Sequence, residues 1–143
     1  MKEEFISYSP EETENYAAAF ADTLRGGEIL AFYGGMGLGK TRFIKGLARG
    51  LGFFGETTSP TFNLVNEYRG GRLDLFHFDM YRITGWDDLY SAGYFEYADE
   101  GGVIAAEWSE NIEAALPDDV VRITLKSLGE NTRKITVERQ EPT

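Results

Sequence analysis

The eight residues Gly34-Gly35-Met36-Gly37-Leu38-Gly39-Lys40-Thr41 constrain this chain more than any other stretch. They match Gly-x-x-x-x-Gly-Lys-[Ser/Thr] in full, and their flanks agree with that reading. The apolar run Ile29-Leu30-Ala31-Phe32-Tyr33 leads in as a buried strand would. After the loop, Phe43, Ile44, Leu47, Ala48 and Leu51 fall at helical spacing, and Gly50 or Gly52 supplies a stop. In a strand–loop–helix of this kind, successive backbone N–H groups turn inward around phosphates, and the helix N-terminus adds partial positive charge. The expected phosphate cradle is Gly35, Met36, Gly37, Leu38, Gly39, Lys40 and Thr41, with Arg42 directly after it. Lys40 would reach the β- and γ-phosphates, and the Thr41 hydroxyl would ligate Mg²⁺. The sequence therefore predicts a chain that binds a nucleoside triphosphate.

At 143 residues the chain is expected to form one domain, residues 1–143, with a sheet-based core. An apolar share of 42% and an aromatic share of 14% exclude a disordered tail protein. No stretch approaches the roughly 18 apolar residues of a membrane span, and Met1-Lys2-Glu3-Glu4 lacks the apolar core of a signal peptide. Without cysteine there is no disulfide framework and no thiolate site. A cytoplasmic protein with no membrane contact is the expectation. The net charge is −10, from 24 acids against 14 bases, and no basic stripe overrides it. Such a surface repels a phosphate backbone, so any service to a nucleic acid is expected to run through a protein partner.

Ser9-Pro10-Glu11-Glu12 opens a helix with an N-cap, a proline in the first turn and a capping-box glutamate. Tyr16, Ala17, Phe20, Ala21 and Leu24 line one face of it, and Gly26-Gly27 ends it. Thr13 reads better as an exposed helix position than as a site residue. Beyond the glycine-loop helix, Phe62–Tyr68 and Leu73–Phe78 read as strands. They are joined by the two-glycine signal Arg69-Gly70-Gly71-Arg72, hence as antiparallel neighbours. The second runs into Asp79, and the apolar run Val103-Ile104-Ala105-Ala106 runs into Glu107. An apolar strand ending in an acid downstream of such a loop is the Walker B pattern, suited to Mg²⁺ because that hard ion takes one or two carboxylates plus phosphate oxygens. The chain offers the pattern twice, and the choice between the two acids stays open.

His77 shares the face of Asp79 and reads as a packed or solvent-paired strand histidine rather than a catalytic base. Trp86–Tyr90 and Gly93–Tyr97 read as short helical segments whose aromatics face the core or a partner. Ser109–Leu116 reads as a helix capped by Ser109, and Val120–Lys126 with Arg133–Glu138 as a closing hairpin. The expected fold is α/β: one P-loop NTPase-like domain, a mixed, mostly parallel sheet with an antiparallel hairpin and flanking helices.

Several of these stretches, taken in register, resemble the bacterial TsaE (YjeE) family. They are Gly39-Lys40-Thr41, Ser59-Pro60-Thr61-Phe62-Asn63-Leu64-Val65, His77-Phe78-Asp79-Met80-Tyr81-Arg82, Asp87-Asp88-Leu89 with Gly93, and Glu107-Trp108. The likeness runs from about Ser9 to Val137. It implies a small P-loop fold that binds ATP with Mg²⁺ and hydrolyses it slowly. The implied partners are TsaD and TsaB, which place a threonylcarbamoyl group on adenosine 37 of tRNA, with tRNA met only indirectly. By position, Lys40 holds phosphates, Thr41 and Glu107 ligate Mg²⁺, and Asp79 is the Walker-B-like acid. Ser59-Pro60-Thr61 occupies the place of a switch-like segment near the γ-phosphate, which brings Thr61 into the site, and Trp108 and Arg133 match positions of the nucleotide pocket. The loop departs from the common Gly-Asp-Leu-Gly-Ala-Gly-Lys-Thr, with Gly35 and Met36 in place of the Asp-Leu pair.

Phosphoryl transfer of this type is positioning plus charge stabilisation, which assigns Lys40, Asp79 and Glu107 the catalytic roles. No residue announces itself as an arginine finger, although Arg42 and Arg82 lie near the motifs. Two other enzymatic readings lack their marks: the nine arginines form no lid-like cluster for a kinase, and no Asn-Lys-x-Asp element reads guanine. A non-enzymatic module that uses ATP as a conformational ligand would need the same pocket.

Overall fold

The computed structural model describes residues 2–35, 37–53 and 65–139. Met36 and the segment Ser59-Pro60-Thr61 lie outside the described residues, as does the first part of the strand expected from Phe62. Seven strands pair into one sheet. In chain order they are β1 (Lys2–Ser7), β2 (Ile29–Tyr33), β3 (Val65–Tyr68), β4 (Leu75–Asp79), β5 (Val103–Glu107), β6 (Val121–Ser127) and β7 (Arg133–Glu138). Their spatial order is β1-β7-β6-β2-β5-β4-β3. The centre, β6-β2-β5-β4, is parallel throughout. The hairpins β3-β4 and β6-β7 and the added β1 are antiparallel, so five of the seven strands run in one direction. The mixed, mostly parallel sheet and both hairpins agree with expectation.

Strand alternation sends successive side chains to opposite faces, and helices cover both. On one face Leu30, Phe32, Leu75, Val103, Ala105, Ile123 and Ile135 form a core with α1 (Pro10–Ala21) and α2 (Lys40–Gly50). On the other, Phe76, Phe78, Ile104 and Ala106 pack with α3 (Trp86–Ser91), α4 (Tyr94–Asp99) and the 3₁₀ helix Ser109–Ala115. His77, Asp79 and Glu107 therefore project on the side of α2.

At the start of α1, the Ser9 side chain accepts the Glu12 N–H as expected. The Glu12 carboxylate takes the Tyr8 N–H, one residue earlier than a capping box would place it. Ser109 does not cap: its hydroxyl donates to the Ala106 carbonyl, and Trp108 holds the N-cap position instead. β1 was not legible, because Lys2-Glu3-Glu4 has no apolar alternation. An edge strand paired on one side can carry charge on its exposed positions.

α1 and α2 pack closely because α2 carries glycine at the contact. A Cβ on Gly46 would run into the Glu14 carbonyl and the Ala17 methyl. Polar contacts reinforce the seam. The buried Glu14 carboxylate accepts from Arg42 Nε at 2.8 Å and from Arg49 Nη1 at 2.6 Å. Overpacking of this kind costs about 1–3 kcal/mol, so Gly46→Ala is expected to lower the urea midpoint by the equivalent of at least ~1 kcal/mol despite alanine's better helix propensity. An unchanged midpoint would show that the two helices can part at no cost.

Candidate nucleotide site

β2, β5 and β4 are neighbours in the parallel centre, so the loops after all three emerge on the same edge of the sheet. Ligands of open α/β sheets sit outside the carboxyl ends of the strands. The loop after β2 is the glycine loop, and it enters α2 through Gly39, a left-handed N-cap with φ 97°. Gly34 is similarly demanding: its φ is 128°, and a Cβ there would stand 2.6 Å from the Leu125 carbonyl oxygen. Gly35 has no positive φ and nothing within 4 Å of a built Cβ, so a side chain at position 35, such as the common aspartate, is accommodated.

Lys40, the first residue of α2, is buried, and its ammonium donates to the Gly34 carbonyl at 2.8 Å. The same Nζ lies 5.4 Å from the centre of the Trp108 ring, which connects the glycine loop to the end of β5. Trp108 is the one non-glycine residue with positive φ among the described residues, at φ 59° and ψ 42°. That conformation costs a bulky residue about 1–3 kcal/mol and persists only where the surroundings enforce it. Here the indole packs edge-on against Tyr81, ring centres 5.0 Å apart.

The two acids stand side by side, for Asp79 is the register partner of Glu107 across the β4–β5 pair. Adjacent strands lie about 4.8 Å apart, so two carboxylates on one face repel unless a cation or a donor intervenes. Each already holds one donor. Asp79 Oδ1 accepts the Tyr81 N–H at 3.0 Å, and Glu107 Oε2 is 2.6 Å from His77 Nε2. The carboxylate partner assigns the Nε2–H tautomer to His77. His77 is 1% exposed, and its Nδ1 has no partner among the described residues. The loops behind the acids are stitched together: Met80 N–H donates to the Glu107 carbonyl at 3.0 Å, and Asn111 Nδ2 to the carbonyls of Met80 and Tyr81 at 2.9 and 3.2 Å. At the end of β2, Tyr33 donates its hydroxyl to Glu113. Partial burial, then that contact, pushes the phenol up to about 12. The Glu113 carboxyl is held below its ordinary range by Tyr33 first and then Arg122.

On the other flank of the glycine loop lies an open cleft of about 370 Å³, lined by Ser9, Thr13, Gly37, Leu38, Gly39, Asn131 and Arg133 among others. Arg133 thus lines one cleft with the glycine loop. Its Nη1 donates to the carbonyls of Gly129, Glu130 and Thr132 and so holds the β6–β7 turn against it. Thr13 corrects the sequence reading. It is 2% exposed, hydroxyl to hydroxyl with Ser7 at 2.7 Å, and Ser7 in turn donates to the Ser9 carbonyl. Since that hydrogen of Ser7 is committed, Thr13 is the donor of the pair. Arg42 is drawn away from the loop, onto Glu14 and, at 3.7 Å, Glu11 of α1. Met36 and Thr61 lie outside the described residues.

Residues 7–135 match the family model described as threonylcarbamoyl adenosine biosynthesis protein TsaE. This chain belongs to the TsaE family. The TsaE-named tRNA threonylcarbamoyladenosine biosynthesis protein of Treponema pallidum is 39% identical over 132 residues, 92% of this chain and 97% of that protein. The Bacillus subtilis protein of the same name is 40% identical over 128 residues, 90% of this chain and 80% of that one. In three dimensions the crystal structure of Bacillus subtilis YdiB superposes with a TM-score of 0.79 at 35% identity, covering 97% of this chain and 86% of that one. The family thus agrees with the resemblance carried by the glycine loop and the His77–Arg82 stretch.

What the sequence did not reveal is the pairing of His77 with Glu107, thirty residues apart. The alternation that puts His77 and Asp79 on one face was visible; the register that sets Glu107 beside them was not. For the loop itself, Gly35→Asp is expected to leave the thermal midpoint within about a degree. Gly34→Ala should lower stability by about 1–3 kcal/mol through its carbonyl clash. Equal midpoints for the two variants would contradict the geometry of the loop.

Proposed function

We propose that this chain binds and slowly hydrolyses ATP with Mg²⁺, and that the cycle lets a TsaB–TsaD complex turn over in tRNA threonylcarbamoyladenosine synthesis in the cytoplasm. The observation that carries the reading is the convergence of Lys40, on its glycine loop, with two register-paired acids at the ends of adjacent parallel strands. Family membership supplies the pathway. Among the described residues, no helix is long and apolar enough to cross a membrane.

The donor set fits Mg²⁺. Among the described residues no three or more His, Cys, Asp or Glu gather into a cage that would hold a metal by itself. Two neighbouring carboxylates and a hydroxyl are what this ion takes when phosphate oxygens complete its shell. Thr41, Asp79 and Glu107 are the residues that would hold it. Once bound, it neutralises charge on the phosphates and on the paired acids. Lys40 exchanges the neutral Gly34 carbonyl for a phosphate oxygen, a charge-assisted and stronger acceptor. The first turn of α2 presents amides that no helical carbonyl claims. Asp79 or Glu107 orients the attacking water, and the buried His77 N–H fixes the Glu107 carboxylate. Trp108 walls the lysine. The cleft beside Thr13 and Arg133 would receive the rest of the nucleotide.

Arg42 is held by Glu14 and Arg133 by backbone carbonyls, so neither guanidinium is positioned to stabilise charge on a γ-phosphate. This favours a low intrinsic rate that rises when partners supply charge or close the site. The decisive experiment compares single-turnover with multiple-turnover tRNA modification by TsaB, TsaD and threonylcarbamoyl-adenylate, with this protein, with Lys40→Ala, and with neither. Repeated turnover is expected from the wild type alone; no difference among the three would end the proposal. His77→Phe fills the same space without the donor. It is expected to lower ATP hydrolysis about 10–100-fold while ATP binding is kept, as loss of the group that orients a metal-ligating carboxylate does elsewhere. A wild-type rate in that variant would remove His77 from the mechanism.

A further inference from the structure

The chain's entire net charge resides in one stretch. Residues 83–121 hold ten Asp and Glu and no Lys, Arg or His, which leaves fourteen acids against fourteen bases over the rest. This stretch folds onto the face of the sheet away from α1 and α2, as α3, α4 and the 3₁₀ helix. Between α3 and the 3₁₀ helix lies a cleft of about 530 Å³. Leu89, Ile112 and Ala115 give it an apolar lining, and Trp86 forms part of its wall. Trp86 is 51% exposed, and Tyr90 and Tyr81, on either side along the chain, are each 61% exposed. Large aromatics are expensive to leave in water, and Trp86 and Tyr90, which both pack on Phe95, mark a surface made for contact.

The two segments that line the cleft also carry uncommitted charge. Asp88 is turned inward, accepting from the Thr84 N–H and hydroxyl, and Glu113 is held by Arg122 and Tyr33. Asp87 and Glu110, next in sequence to the lining residues Trp86 and Asn111, are exposed and in no ion pair among the described residues. An apolar lining set in an acidic stretch of chain is complementary to an apolar side chain flanked by Lys or Arg. It repels a phosphate backbone, so nucleic acid is a poor fit. A second copy of this chain is a poor fit too, because its own guanidinium groups are largely engaged: Arg42 and Arg49 by Glu14, Arg69 by Glu67, Asp74 and Glu100, Arg122 by Glu113.

We propose that the cleft between α3 and the 3₁₀ helix is the docking surface for a partner protein's basic segment, which inserts an apolar side chain against Leu89 and Ile112. The inference rests on the reading that this chain works with a TsaB–TsaD complex and assigns the surface that meets it. Asn111 gives the contact a route to the nucleotide site, since it lines the cleft and also donates to the carbonyls of Met80 and Tyr81, behind Asp79.

The test uses purified TsaB–TsaD complex titrated onto the full chain with ATP and Mg²⁺, by calorimetry, at two salt concentrations. Wild type is compared with Asp87→Lys/Glu110→Lys and with Trp86→Ala. These positions are exposed and outside the nucleotide site, so ATP affinity and melting temperature serve as controls for folding. The proposal expects the charge-reversal pair to weaken association at least tenfold, Trp86→Ala to weaken it similarly, and wild-type affinity to fall as salt rises. Wild-type binding matched by both variants would overturn the docking surface while leaving the partner reading in place. A wild type that does not bind the complex would remove both. Loss of tRNA binding or of self-association on the same substitutions, with the complex still bound, would assign the cleft to another occupant and also overturn the proposal.

Discussion

The side-by-side pairing of β4 with β5 is the constraint on which the rest of the site depends. In a parallel pair the residues opposite one another share a face, so the register that sets His77 beside Ala105 also sets Asp79 beside Glu107. A slip of one residue would send one acid into the apolar layer formed by Phe76, Phe78 and Ile104, where an unpaired charge is prohibitive. The apolar residues on both faces therefore fix the distance between two carboxylates, and the His77 donor fixes the attitude of one of them. The binding chemistry inherits its geometry from core packing.

A second constraint acts on the glycine loop from behind. α2 begins at Lys40, so the orientation of this helix sets the direction of the loop amides and of the lysine stem. The small residues at the α1–α2 seam allow one close approach, and the buried Glu14 with two guanidinium groups secures it from the polar side. Removing both half-exposed guanidinium groups would leave the buried Glu14 carboxylate largely uncompensated, so this contact holds the seam in one arrangement. The N-terminal segment, which contributes nothing recognisable as a motif, thus holds the motif in place and supplies Thr13 and Ser9 to the cleft beside it.

Much of this was legible in the chain. The strand–loop–helix, both acids at strand ends and both hairpins followed from local rules: apolar runs of strand length, helical periodicity, and glycine pairs at turns. What escaped was either encoded by neighbours distant in sequence or belonged to an edge. β1 is charged because only one of its sides is paired. Thr13 reads as a surface residue until its hydroxyl meets that of Ser7 from β1. Ser109 has the residue type of a cap, yet a nearby carbonyl claimed its hydroxyl, because Trp108 already turns the chain. His77 was ambiguous for the same reason: a buried imidazole is defined by the group across the sheet.

Trp108 links these themes in optical terms. It is one of only two tryptophans in the chain, and its indole has the Lys40 ammonium over its face. A cation so placed perturbs the excited state of the ring, so the emission of this residue depends on where the lysine's charge resides. If that charge moves from the Gly34 carbonyl to a phosphate, as the proposed function has it, the chain would carry a spectroscopic record of its own nucleotide state, without label or cofactor. The other tryptophan, Trp86, lines the cleft between α3 and the 3₁₀ helix. With either one replaced, the emission comes from the other alone, so the two neighbourhoods can be read separately.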